Sequence, residues 1–223
     1  MITQHALQNK LTHSFSAVVL TLGLAVIPQV AQAEGWYGGI GFGQTKARED
    51  GDTCTEASNL FDPGFSCSTD DKDKGWKLFI GRQFDFYKDL AAELSYVDLG
   101  KFTANASGTV GSIPSTADAD VKVKGVELAL VGTWPVSDAF GVIGRVGGFR
   151  WDVKNDGSAT GGLVADSPHK TGFNLTYGVG VKYDFTKQLG ARAEWERFKR
   201  VGDPDTTGRL DVDLLSLNLV FMF

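Results

Sequence analysis

Few side chains in this 223-residue chain have the type and spacing for covalent chemistry. Nucleophilic catalysis needs a serine or cysteine in reach of a base that an acid orients. His169 is the only histidine after residue 13, and Asp166, Ser167 and Pro168 stand immediately before it. That context is a polar connection, so His169 reads as a solvated loop residue more readily than as the base of an outer-leaflet lipid hydrolase or acyltransferase. Cys54 and Cys67 have no neighbouring histidine and do not complete the four-ligand set of a structural zinc site. Gly39, Gly41 and Gly43 alternate with Ile40 and Phe42 in a strand pattern that no helix follows. They are not a phosphate loop; they keep one face small. No catalysis, metal or cofactor is expected. What remains is electrostatic: Lys77, Glu93, Glu127, Arg145, Lys182, Arg192, Glu194 and Glu196 are charges set into otherwise apolar, alternating segments.

The segments that must position these charges follow a leader. Lys10 and two histidines, an apolar run from Phe15 to Val30 broken by Pro28, and the small-x-small triplet Ala31-Gln32-Ala33 identify residues 1–33 as a cleavable secretory signal. The run falls short of the roughly 20 apolar residues of a transmembrane helix. The mature chain is expected to begin at Glu34 and to form one domain, 34–223. Cleavage removes one lysine and no acid, leaving 21 of the 22 basic residues against 27 acids and a formal net charge of -6. That balance, without a clustered basic face, argues against a nucleic-acid partner. Export to an oxidising compartment favours a local Cys54–Cys67 disulfide over two free thiols.

After residue 34 the apolar residues recur with a period of two, with almost no sustained helical stripe. Eight candidate strands follow, at about 36–46, 75–84, 89–99, 121–134, 139–151, 171–185, 188–199 and 209–223. Their connections alternate in length. Tight turns at 85–88, 135–138 and 186–187 separate longer segments rich in Gly, Asp, Ser and Thr, among them 46–74, 100–120 and 152–170. Short turns at one end and long loops at the other are the pattern of a membrane barrel with periplasmic turns and extracellular loops.

Side-chain parity separates a lipid face from an interior face. In the last strand Leu215, Leu217, Leu219, Phe221 and Phe223 oppose Ser216, Asn218, Val220 and Met222. In the sixth, Phe173 to Tyr183 at odd positions oppose Asn174, Thr176, Gly178, Gly180 and Lys182. Trp36, Tyr96, Trp134, Tyr183 and Trp195 fall near strand ends, as aromatic girdles do. A soluble barrel would turn its large apolar residues inward; here the inward face reads as glycine, serine and charge. The expected fold is therefore all-β: an eight-stranded antiparallel up-and-down transmembrane β-barrel. Its lumen admits only side chains, so the four basic and four acidic interior residues must pair across it. Two readings of that network stand: a gate that rearranges to pass water or small ions, and a polar plug that fixes register. Buried polar networks more often specify structure.

Several stretches carry a family resemblance: Glu34-Gly35-Trp36-Tyr37, residues 78–84 (LFIGRQF), 90–100 (LAAELSYVDLG), Gly125-Val126-Glu127-Leu128 through Trp134-Pro135, Gly144 to Gly148, and Ala191-Arg192-Ala193-Glu194-Trp195. Through most of the mature chain it resembles the OmpA-type transmembrane domain. The resemblance implies an outer-membrane location and an interior in which Arg or Lys pairs with Glu, here Arg145, Lys182, Arg192, Glu194 and Glu127. Where the family's fourth strand carries an interior lysine, this chain has Val131, so a gating switch does not carry over. Relatives often continue into a periplasmic peptidoglycan-binding domain, and no such role is expected of a chain ending at Phe223. That terminal Phe223, in phase with Phe221 and Leu219, resembles the signal read by the outer-membrane assembly machinery.

The resemblance implies outer-membrane lipid and lipopolysaccharide as surroundings, with barrel assembly machinery and periplasmic chaperones as partners in biogenesis. A non-enzymatic structural or surface-interaction protein with long loops is the leading reading, and a small-solute or ion pore gated by interior salt bridges is the alternative. A soluble lipocalin-like carrier is opposed by the apolar outer face and the terminal phenylalanine. No surface ligand follows from the residues.

Overall fold

The computed structural model describes residues 35–49, 53–163, 167–203 and 208–223. The secretory signal, its cleavage point and Asp166 lie outside the described residues.

Period-two alternation becomes extended chain almost throughout. The strands are β1 (Trp36–Glu49), β2 (Ser66–Asp70), β3 (Lys72–Phe84), β4 (Tyr87–Val110), β5 (Ile113–Pro135), β6 (Phe140–Ala159), β7 (His169–Asp184), β8 (Leu189–Val201) and β9 (Leu210–Met222), with one short helix, α1 (Thr53–Ala57). Neighbours pair antiparallel in the order β3-β1-β9-β8-β7-β6-β5, and β4 pairs with both β3 and β5, so eight strands close on themselves. Closure leaves no row of unpaired N–H and C=O groups in the membrane-facing ring, the condition for a sheet in hydrocarbon. β2 stands outside the ring and adds to the upper part of β4, Ser66 opposite Ser107 and Asp70 opposite Thr103.

The outer wall is apolar. Phe42 is 62% exposed, Leu217 72% and Trp134 77%, within a continuous band that includes Leu78, Ile80, Leu94, Leu128, Val179 and Leu219. An exposed apolar band of this extent requires lipid around it. Aromatics cluster at its margins: Trp36, Phe86, Tyr87, Trp134 and Tyr183 beside the short turns, and the Trp76–Tyr96 and Tyr177–Trp195 pairs towards the opposite end.

Two sequence expectations need correction. The polar stretches at 100–120 and 152–170 were expected as long loops, yet most of both is strand. β4 and β5 run on to a two-residue turn at Gly111 and Ser112, both at positive φ (57° and 69°), as such hairpin turns require. β6 likewise continues to Ala159. These strands rise beyond the lipid band, where an outward Lys, Asp or Ser is as comfortable as an outward Leu inside it. Polarity thus marked the edge of the membrane, not the end of the strand.

The second correction concerns the interior, expected to be small or charged. It is apolar at both ends. Towards the long-hairpin end, Val97, Leu99, Phe102, Val123, Phe149, Trp151, Val153, Phe198, Val212 and Leu214 form a buried core, with Phe149 and Phe198 edge to face at 4.8 Å. At the short-turn end Tyr37, Phe79, Ala91 and Val220 form another. β5 displays the reason: Val126, Leu128 and Leu130 point out around inward Glu127, whereas Lys122 and Lys124 point out around inward Val123. Past the lipid edge the outer wall meets water and the inside becomes an ordinary soluble core.

The segment 50–71, expected as a loop, contains α1 and β2. The Cys54–Cys67 disulfide joins them, with Cα atoms 5.7 Å apart. Phe61 is buried and stacks on Phe65 at 5.8 Å. Asp62 fastens this segment to the β4–β5 hairpin: its N–H donates to the Thr109 carbonyl at 2.7 Å, and its carboxylate accepts the Ser112 N–H at 3.2 Å.

Candidate functional site in the barrel lumen

Between the two apolar cores lies a charged layer built from five strands. β3 contributes Lys77, β4 Glu93, β5 Glu127, β6 Arg145, and β8 Arg192, Glu194 and Glu196; Arg192 is 7% exposed, Arg145 5%, and the others at most 1%. Alternation brings three residues of β8 onto one wall, facing single residues from the strands opposite. Small residues make the room. A Cβ on Gly41 would lie 1.9 Å from Asn218 Oδ1, and one on Gly180 would lie 2.8 Å from Glu194 Cγ.

Lys77 Nζ donates to Glu194 at 2.5 Å and to Glu196 at 2.7 Å. Arg145 reaches four carboxylates: Glu127 at 2.6 Å, Glu196 at 2.8 Å, Glu194 at 3.0 Å and Glu93 at 3.2 Å. Arg192 donates to Glu93 at 2.9 Å and lies over the Tyr37 ring at 4.7 Å. The Tyr37 hydroxyl also donates to Glu93, at 3.0 Å, and Thr176 donates to Glu127 at 2.6 Å. Seven titratable groups thus share one buried layer, three basic among four acidic, held by ion pairs and hydrogen bonds.

Of the eight charges expected in the lumen, Lys182 stands apart. It pairs with Asp184 at 2.7 Å near the short turns and is 20% exposed. Parity carries no information on height. A cavity of about 10 Å³ beside it, lined by Lys182, Asp184, Arg192, Val220 and Met222, is at the threshold for one water molecule. The alternation puts Thr176 on the interior face but does not mark it as a partner of Glu127, and it does not single out Tyr37 as a partner of Glu93. The signal was a hydroxyl on the charged face.

Elsewhere, His169 Nε2 lies 2.8 Å from Asp152 on the exposed surface, and Ser167 Oγ accepts the Gly157 N–H at 3.4 Å. Among the described residues no group of three His, Cys, Asp or Glu is placed to hold a metal ion. Leu219, Phe221 and Phe223 share the outer face of the closing strand, the Phe221 and Phe223 rings 5.5 Å apart.

A closed antiparallel sheet with a lipid-facing wall and a charged, filled lumen defines a transmembrane β-barrel. The chain belongs to the OmpA-like transmembrane domain family, whose model matches residues 31–223. It is similar to outer membrane protein A of Serratia marcescens, 31% identical over 216 residues that cover 93% of this chain and 56% of that protein. It is also similar to outer membrane protein A of Yersinia pseudotuberculosis, 29% identical over 212 residues covering 94% of this chain and 55% of that one. The chain thus spans little more than half the length of these relatives. Among solved structures, Neisserial surface protein A shares the fold, with a TM-score of 0.55 and 15% identity over 85% of this chain and 97% of the other. The protein is an outer-membrane β-barrel protein of this type.

Proposed function

We propose that the protein is a non-enzymatic, non-conducting platform of the outer membrane, whose extracellular hairpins and disulfide-bridged segment make contacts outside the cell. One observation carries the reading: buried apolar side chains close the lumen on the long-hairpin side of the charged layer and, beside the Lys182–Asp184 pair, narrow it on the short-turn side, so a passing ion would have to cross hydrocarbon-like packing. The layer then acts as a plug that fixes strand register, each carboxylate tied to a cation from another strand. Loops and hairpins on such a scaffold are where binding usually resides. Leu219, Phe221 and Phe223 serve as the segment that the barrel assembly machinery reads.

The test is single-channel recording in a planar bilayer with the refolded chain and an Arg192→Ala variant, folding being verified by heat-modifiable migration. Silence from both folded proteins supports the platform. Discrete steps in the wild type that Arg192→Ala alters would overturn it in favour of a pore gated by interior salt bridges.

A further inference from the structure

We propose that the outer wall formed by β8, β9, β1 and β3 carries a binding site for the phosphate groups of an outer-leaflet lipid headgroup. The register across these strands makes one continuous outward row: Arg197 opposite Asp213, Asp213 opposite Lys46, and Lys46 opposite Lys72. Just below run Trp195, Leu215, Gln44 and Lys74, and below those Ala193, Leu217, Phe42 and Trp76. The cations therefore begin where the lipid-facing band ends, at the depth of headgroups.

Asp213 organises the row. It is 8% exposed, and its carboxylate accepts Arg197 Nε and NH2 at 2.6 and 2.7 Å and Arg48 Nε at 3.0 Å. Two guanidinium groups are thereby pinned at the lipid margin with donors to spare, and Arg197 is further held over the Trp195 ring at 5.2 Å. Lys46 and Lys72 sit directly opposite one another, a like-charge pairing that destabilises a sheet unless an anion answers it. The answer within the protein is partial. Lys46 reaches Asp71 only at 3.7 Å, and Asp70 accepts the backbone N–H of Lys72. The ammonium groups of Lys72 and Lys74 pair with no acid among the described residues. With Lys199 and Asp211, which stands opposite Arg48 and pairs with Lys199, six cations (Lys46, Arg48, Lys72, Lys74, Arg197 and Lys199) thus stand against four acids (Asp70, Asp71, Asp211 and Asp213).

Other parts of the wall differ. On β4 to β6, Lys101 pairs with Asp120 at 3.0 Å, while Lys122 and Lys154 share Asp156 at 3.0 and 3.5 Å. Lys124 and the exposed Arg150 are without an ion pair among the described residues, but both flank Asp152: Lys124 stands in register between Asp98 and Asp152, and Arg150 lies two residues before Asp152 on the same face. An excess of positive charge immediately above aromatic side chains, on exposed and partly preorganised groups, fits the phosphates of a membrane lipid.

The refolded chain is titrated in detergent micelles with bis-phosphorylated lipid A, with its dephosphorylated form and with inorganic phosphate, and bound lipid is read by native mass spectrometry. Two variants accompany it: Lys46→Gln/Lys72→Gln/Lys74→Gln, and the charge-matched Lys101→Gln/Lys122→Gln/Lys154→Gln. The wild type should prefer the phosphorylated lipid by at least about tenfold. The first variant should lose that preference and the second keep it. Equal loss in both variants, no preference in the wild type, or displacement of the lipid by millimolar inorganic phosphate each overturns the proposal. All the substituted lysines are exposed, and heat-modifiable migration verifies that each variant has folded.

Discussion

Lys77 on β3 and Glu196 on β8 meet across the lumen at 2.7 Å, while Glu194 takes the same ammonium group from the neighbouring position. This contact joins opposite walls of the barrel. Lys77→Met leaves two buried carboxylates short of a cation and is expected to cost about 3–5 kcal/mol in urea unfolding from lipid vesicles. Adding Glu196→Gln should recover a large part of that loss. Additive costs in the double-mutant cycle would show that the contact carries no coupling.

The apolar cores make a separate prediction. Phe198 is fully buried against Phe149. Phe198→Ala is expected to destabilise the barrel by about 3–5 kcal/mol in the same unfolding assay. An unchanged midpoint would mean that the upper interior is not packed as a core.

The Asp62 stitch gives a pH response outside the membrane. The Ser112 N–H, and then the Thr109 side chain, hold the Asp62 carboxyl below its ordinary value of 3.8. A depressed acid stabilises the folded form above its unfolded pKa, and that contribution disappears as pH falls through the lower folded value. The Ser112 amide resonance should therefore keep its position at neutral pH and move in acid with a midpoint below pH 3.8. Asp62→Asn should abolish the movement.

The disulfide spans 13 residues outside the ring of eight strands. For a loop of this size the cross-link is worth about 3 kcal/mol to the segment it closes. Cys54→Ser/Cys67→Ser should leave heat-modifiable barrel migration unchanged and speed proteolysis between α1 and β2. A lost barrel band would mean that the segment helps to build the barrel.

Much of this was readable from the residues because lipid imposes a strict rule on one face. Once Leu215, Leu217 and Leu219 fix the outward parity of β9, neighbouring strands follow, and Glu93, Glu127, Arg145 and Glu194 fall inside without any distance being known. Height was not readable. Lys182 obeys the same parity as Arg192 but lies nearer the short turns, because strand tilt and stagger set depth and neither is written in alternation. The apolar interior around Phe149 and Phe198 escaped for a related reason: above the lipid edge the outward residues turn polar, and inward Val123 or Phe102 then resembles part of a loop. Asp62 and Ser112 are 50 residues apart, and nothing local marks them as partners.

The reversal of polarity along each strand has a mechanical consequence. On β5 the outward apolar run extends from Val126 to Trp134 and is followed at once by Lys124, so the height offered to hydrocarbon is only about 20 Å for a strand tilted as in other barrels. In a bilayer thicker than this band, tilting is no remedy, because it shortens the span further, and a closed sheet has no way to lengthen its apolar wall. Hydrophobic mismatch must be absorbed by the lipids, which thin and crowd around the wall. The protein would thereby impose its own thickness on the surrounding membrane and favour neighbours that share it.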